Sequence, residues 1–158
     1  MKKLKSEAST AYLNVYLISD IGKLLARCNN CGSAAYSDSA AVHGAIGDSF
    51  AKFKMFFVST EKVVLQADTG KYVARCNGCW TSASYRDAAF IHSTNPSDSW
   101  AQWTLIANSD GTYGFLGDNG KYLARCNGCV SGGTQSDFAF VHESDPTNSW
   151  AKWKIQII

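Results

Sequence analysis

A pair of cysteines two residues apart occurs three times, at Cys28/Cys31, Cys76/Cys79 and Cys126/Cys129, and the text around it repeats every 48 to 50 residues. Gly22-Lys-Leu-Leu-Ala-Arg-Cys-Asn-Asn-Cys31 is followed by Gly70-Lys-Tyr-Val-Ala-Arg-Cys-Asn-Gly-Cys79. The third copy, Gly120-Lys-Tyr-Leu-Ala-Arg-Cys-Asn-Gly-Cys129, differs from the second at one position in ten. The three histidines, His43, His92 and His142, obey the same period, each five residues after an aspartate: Asp38, Asp87 and Asp137. Each copy closes on two aromatics three residues apart, Phe50/Phe53, Trp100/Trp103 and Trp150/Trp153. Self-similarity of this strength constrains the fold before any other feature, because equivalent residues must find equivalent surroundings.

Within a copy the periodicity is two. Leu13-Val15-Leu17, Val63-Leu65 and Tyr113-Phe115 open their copies as alternating strands. Tyr122–Cys126, Phe138–His142 and Trp153–Ile157 read as three further strands of the last copy, separated by Asp-Asn-Gly, Asn-Gly, Ser-Gly-Gly and Asp-Pro turns. No window shows a helical face. A propeller needs at least four blades and a solenoid needs distinct polar caps. The expected fold is therefore all-β: a β-trefoil of three repeats of about 50 residues with four strands each. Residues 1–10 read as an N-terminal extension and 11–158 as one domain, with repeats 11–58, 59–108 and 109–158.

Composition narrows the function classes. A net charge of +2 is too weak a field for a nucleic-acid or acidic-membrane binder. No apolar run approaches the roughly 18 residues of a membrane-spanning helix. The first residues lack a secretory leader, so the expectation is a soluble cytoplasmic protein. Lys2, Lys3 and Lys5 could contribute to an acidic partner.

Gly120-Lys-Tyr-Leu-Ala124 followed by Ser149-Trp-Ala-Lys-Trp153 resembles the repeat of fascin-like β-trefoils. Lys121-Tyr122-Leu123-x-Arg125 with Asn148-Ser149-Trp150 is similar to the agglutinin repeat of amaranthin-type lectins. The resemblance spans roughly residues 10 to 158. It implies either carbohydrate binding, with glycans or glycoconjugates as partners, or actin and cytoskeleton binding as the alternative. The Arg-Cys-Asn-x-Cys block belongs to neither pattern, so no family site transfers residue by residue.

The cysteine pairs admit several readings: zinc half-sites, redox dithiols, local disulfides, or small apolar packing beside a tight turn. Equivalent loops of a threefold barrel point about 120° apart, which argues against one shared metal centre. A cytoplasmic setting favours reduced thiols. No cofactor and no metal are expected, and no oriented catalytic constellation is legible, so the chain reads as non-catalytic.

The candidate ligand-binding residues are those that recur with sugar-compatible chemistry. Carboxylate and amide oxygens accept hydroxyl protons, while imidazole donates. Asn29, Asp38 and His43 form one set, Asn77, Asp87 and His92 the second, and Asn127, Asp137 and His142 the third. Trp100 and Trp150 are candidate stacking platforms on the rim. Tyr36, Trp80 and Tyr85, in the variable loop, would also suit a sugar face, whereas Lys121 and Arg125 read as a solvated face. The first copy departs most, with Leu24 for tyrosine, Asn30 for glycine and Phe50 for tryptophan, so its site should be weakest. Up to three homologous sites make a multivalent lectin the expected function, and a homodimer is possible by symmetry.

Overall fold

The computed structural model describes residues 11–158, so the N-terminal extension and Lys2, Lys3 and Lys5 lie outside the described residues. Twelve strands follow in chain order. Copy 1 supplies β1 (Tyr12–Ile18), β2 (Leu24–Asn29), β3 (Asp38–Gly44) and β4 (Phe53–Phe57). Copy 2 supplies β5 (Lys62–Gln66), β6 (Tyr72–Asn77), β7 (Asp87–Ser93) and β8 (Trp103–Ala107). Copy 3 supplies β9 (Tyr113–Leu116), β10 (Tyr122–Asn127), β11 (Asp137–Glu143) and β12 (Lys154–Ile157). A single 3₁₀ turn precedes each closing strand, at Ser49–Ala51, Ser99–Ala101 and Ser149–Ala151.

The expected β-trefoil of three four-stranded repeats is corrected by the pairing. All twelve strands belong to one sheet that closes into an all-β barrel, and no copy's four strands form a unit. β1 pairs with β4 of its own copy but also with β12 of the last one, and β4 passes on to β5. β5 pairs β8, β8 pairs β9, and backbone bonds in both directions between Tyr113 and Trp153 tie β9 to the start of β12. The third strands of the copies, β3, β7 and β11, pair with one another. The physical reason is edge satisfaction. Four strands alone would leave two rows of unpaired N–H and C=O groups, and only the neighbouring copies can cover them.

The barrel interior holds Val15, Leu17, Phe53, Leu65, Trp103, Phe115 and Trp153, all essentially inaccessible. Trp103 donates its indole N–H to the Val73 carbonyl at 3.1 Å, and Trp153 donates to Leu123 at 2.9 Å. These bonds satisfy the two largest buried side chains, which would otherwise carry an unpaired polar atom.

A second apolar cluster lies where the hairpins β2–β3, β6–β7 and β10–β11 converge. It contains all six cysteines with Trp80, Phe90, Phe138 and Phe140. Here two expectations are corrected. The cysteine pairs meet on the pseudo-threefold axis rather than pointing apart, and each is closed as a disulfide: Cys28–Cys31, Cys76–Cys79 and Cys126–Cys129. Reduced thiols were inferred from compartment, whereas the positive-φ residue between the cysteines, Asn30, Gly78 or Gly128, bends the chain enough to bring the sulfurs together. The loops interlock around the axis. Ala35 N–H donates to the Cys79 carbonyl, Ser84 N–H to that of Cys129 and Thr134 N–H to that of Cys31.

Each disulfide closes a loop so short that its entropic contribution is about 2 kcal/mol. The double variant Cys126→Ala/Cys129→Ala is expected to lower unfolding free energy by about that amount in urea titrations. An unchanged midpoint would show that the third clip does not constrain the unfolded chain.

Candidate functional site

Each hairpin ends on one cross-strand pair, Asn29 opposite Asp38, Asn77 opposite Asp87 and Asn127 opposite Asp137. In all three the asparagine amide donates to the aspartate Oδ1, at 2.8, 2.8 and 3.0 Å. The same oxygen receives an N–H from Arg27, Arg75 or Arg125. The guanidinium then reaches across the copy boundary. Arg27 clasps Asp68 through Nε and Nη2, Arg75 clasps Asp118, and Arg125 clasps Asp20. The arginines read as a solvated face are thus two-carboxylate clamps between copies.

Charge follows geometry. The hydrogen bonds from the arginines hold the carboxyls of Asp20, Asp68 and Asp118 below the ordinary aspartate range. Burial pushes Asp87 up, but hydrogen bonds from Asn77, Asn119 and Arg75 outweigh it and leave that carboxyl low as well. The arginines in turn rise further above neutrality. Asp38, Asp87 and Asp137 are therefore engaged in holding hairpins, and the surface they support belongs to their neighbours.

That surface forms two grooves. One, of about 480 Å³, is lined by Tyr36, Arg75, Asn77, His92, Asp98 and Trp100. The other, of about 450 Å³, is lined by Tyr85, Arg125, Asn127, His142, Glu143 and Trp150. Both are composite. Tyr36 comes from copy 1 and lies with its ring centroid 4.6 Å from that of His92, while Tyr85 comes from copy 2 and lies 4.5 Å from His142. Trp100 and Trp150 remain 41% and 40% exposed at the groove rims. Burial lowers the pKa of both histidines, so both imidazoles are neutral near pH 7 and each has one N–H donor and one acceptor nitrogen.

The grooves differ at their edges. Glu143 accepts the indole N–H of Trp150, the amide of Asn148 at 2.6 Å and the Asp145 backbone N–H at 3.1 Å. Copy 2 has Ser93 at that place, and its hydroxyl is turned to the Asn95 carbonyl and Asp98.

The matching place in copy 1 is packed differently. His43 stacks on Phe50 at 5.7 Å and its Nε2 lies 3.3 Å from the Arg27 carbonyl. Leu24, Ala26 and Ala51 pack with Tyr16 and Phe50, and the Tyr16 hydroxyl accepts the Gly47 N–H. A Cβ on Gly44 would come within 2.9 Å of Ala51 Cβ, so the strand passes too close for the serine or glutamate found in the other copies. Two residues before Asp38 and Asp87 stand the tyrosines; two before Asp137 stands Gln135. Asn29 stays exposed and His43 half-buried, with Phe50 against its ring.

Trp80, a candidate loop aromatic, is only 7% exposed. It packs on Phe90 at 5.0 Å and Phe138 at 4.9 Å, in the space that Gly32 leaves open. Two signals were present in the sequence. Asp20, Asp68 and Asp118 each stand two residues before the glycine that opens the Cys block, and Tyr36 and Tyr85 each stand two before an aspartate. Counted from the cysteines the tyrosines fall out of register by one residue, which hides them. Glu143 has no counterpart in the other copies and so left no repeat signal. Among the described residues, no three His, Cys, Asp or Glu side chains gather to hold a metal ion.

No protein-family model matches the sequence, and none of the curated proteins matches it. Solved structures do match in fold. The designed threefold-symmetric protein ThreeFoil aligns at 17% identity and TM-score 0.66, over 90% of this chain and 96% of its own. The SDF2-like protein of Arabidopsis thaliana aligns at 18% identity and TM-score 0.70, over 92% of this chain and 93% of its own. The Polyporus squamosus lectin, bound to the epitope Neu5Acα2-6Galβ1-4GlcNAc, aligns at 13% identity and TM-score 0.69. This chain covers half of that lectin's length, and the match takes in 94% of this chain. At these identities the likeness shows a trefoil-like fold and nothing of the site.

The groove histidines and the clamp carboxylates set opposite ends of an acid transition. Unfolded histidine titrates near 6.5, and the folded values are lower, so the unfolded state takes up more protons and stability falls as pH drops below 6.5. The stability contributed by Asp20, Asp68 and Asp118 is present above 3.8 and is lost as pH falls through their lower folded values. Urea midpoints should be flat from pH 7 to 8, decline as pH drops below 6.5, and decline further below 3.8. In a His92→Asn/His142→Asn variant the first decline should disappear; a decline that persists would assign it to other groups.

Proposed function

We propose that this protein binds carbohydrate without catalysis, through the two composite grooves at His92 and His142. The observation that carries the reading is the repeated combination of an exposed tryptophan and a cross-copy tyrosine around neutral imidazole and amide groups. Aromatic walls suit the apolar face of a pyranose ring, and the amide, imidazole and serine groups between them match its hydroxyls. Arg75 and Arg125 each spend three of five N–H donors on carboxylates, so two remain to meet ligand oxygens. The likeness in fold to a sugar-binding lectin supports the reading at the level of ligand class.

Of the three sites expected from the repeats, two are proposed to bind, since at the copy 1 place Phe50 stands for the tryptophan and Gln135 for the tyrosine. Two grooves on one body make avidity available: engaging both on a multivalent surface raises apparent affinity about 10²- to 10⁴-fold. Three local disulfides persist most readily in an oxidising compartment, where the glycans of surface and secreted molecules are at hand.

A glycan array probed with the protein, followed by calorimetry on the hits, tests the proposal. Trp100→Ala and Trp150→Ala are each expected to weaken one site about tenfold, and the double variant to lose array signal while its unfolding midpoint is retained. An array blank at high protein concentration, with no heat on titration of free sugars, would overturn the reading. Pelleting with actin filaments that ignores added sugar would favour the cytoskeletal alternative instead.

A further inference from the structure

We infer that the two grooves sort glycans by charge: the His92 groove accepts acidic sugars through Arg86, and the His142 groove accepts uncharged ones. The inference rests on the carbohydrate reading and concerns what distinguishes its two sites.

The difference lies in the groups that the repeat does not copy. The position before the clamp aspartate is Arg86 in copy 2 and Ser136 in copy 3. Arg86 lies across the Asn77–Gly78 turn. Its Nη2 donates to Asn77 Oδ1 at 3.2 Å, and the same atom stands 3.4 Å from where a Cβ on Gly78 would be. Asn77 is itself a wall of the groove. The other arginines of the region are each neutralised by two aspartates, but among the described residues Arg86 has no carboxylate within ion-pair distance. Four of its five N–H donors are uncommitted, in the planar fork that matches a carboxylate or a sulfate.

The surrounding charges decide the two cases. Around His92, Arg75, Lys71 and Arg86 face the carboxylates of Asp87, Asp118 and Asp98, so the cations and anions balance. Around His142, Arg125 and Lys121 face Asp137, Asp20 and Glu143, an excess of negative charge. Glu143 is held beside the Trp150 platform by three hydrogen bonds, so a ligand stacked on that indole must sit against a fixed carboxylate. A sialic acid or sulfate there would meet like charge in a partly desolvated cleft, whereas a neutral hydroxyl finds an acceptor. At the His92 groove Ser93 occupies the glutamate's place, and Arg86, outside the lining itself, bonds the Asn77 side chain of its wall.

Calorimetry with matched glycan pairs separates the possibilities: a neutral oligosaccharide, its sialylated form and its sulfated form, each run against wild type, Arg86→Ser, Trp100→Ala and Trp150→Ala. The acidic forms are expected to bind one site, to be weakened about tenfold or more by Arg86→Ser and Trp100→Ala, and to be untouched by Trp150→Ala. Their affinity should also fall as salt rises from 50 to 500 mM. The neutral form should keep a site in Arg86→Ser and lose it in Trp150→Ala. Preference of the sialylated over the sulfated form, or the reverse, identifies the source of the anion. Unchanged acidic binding in Arg86→Ser, or its loss in Trp150→Ala alone, overturns the sorting and leaves the carbohydrate reading standing. Binding of neutral glycans alone at both grooves does the same. Absence of binding by every form overturns both.

Discussion

Three guanidinium clamps hold the copies of this chain to one another, and the surface features depend on where they close. Each arginine sits near the end of the second strand of its copy, bonds the aspartate that begins the partner strand of the same hairpin, and clasps the aspartate of the next copy with two further N–H groups. A bidentate guanidinium–carboxylate pair fixes angle as well as distance. The clamp therefore sets the tilt of each hairpin against the following copy, which is where the tyrosine of one copy meets the histidine of the next. Isolated surface ion pairs contribute little to stability. Here the pairs are partly buried, networked and tripled by the pseudo-symmetry, so their role is orientation as much as energy.

The axis cluster complements the clamps from the inside. Disulfides, Trp80 and three phenylalanines fill the space where the hairpins converge, and backbone bonds link each loop to the next around the ring. Packing at the axis and charge at the rim thus restrain the same hairpins from opposite sides. The grooves lie between these two restraints.

Departures from symmetry distinguish the surfaces of the three copies. Phe50 replaces the tryptophan in copy 1, while Ser93 stands at the groove of copy 2 and Glu143 at that of copy 3. A repeated fold tolerates this because the shared backbone is stabilised by the positions that do repeat, leaving the groove edges free to diverge. The half-buried histidines belong to the repeated frame as much as to the grooves: each packs against an aromatic ring, Tyr36 for His92, Tyr85 for His142 and Phe50 for His43.

The amino-acid sequence by itself determined the all-β character, the threefold division of the chain, the strand positions and the roster of polar residues from which any site had to be drawn. Those properties are local: alternation, turn residues and spacing report on a few residues at a time. Only the tertiary structure decided that the strands merge into one closed barrel, that the cysteines are joined, that Trp80 is core, and that the aspartates bond arginines. It also decided that each groove is built from two copies. Guanidinium clamps, composite grooves and the strand pairs β1–β12 and β5–β8 are contacts between residues some 40 or more positions apart. A period read along the chain shows that such residues are equivalent, but which neighbour each one meets is set by how the barrel closes.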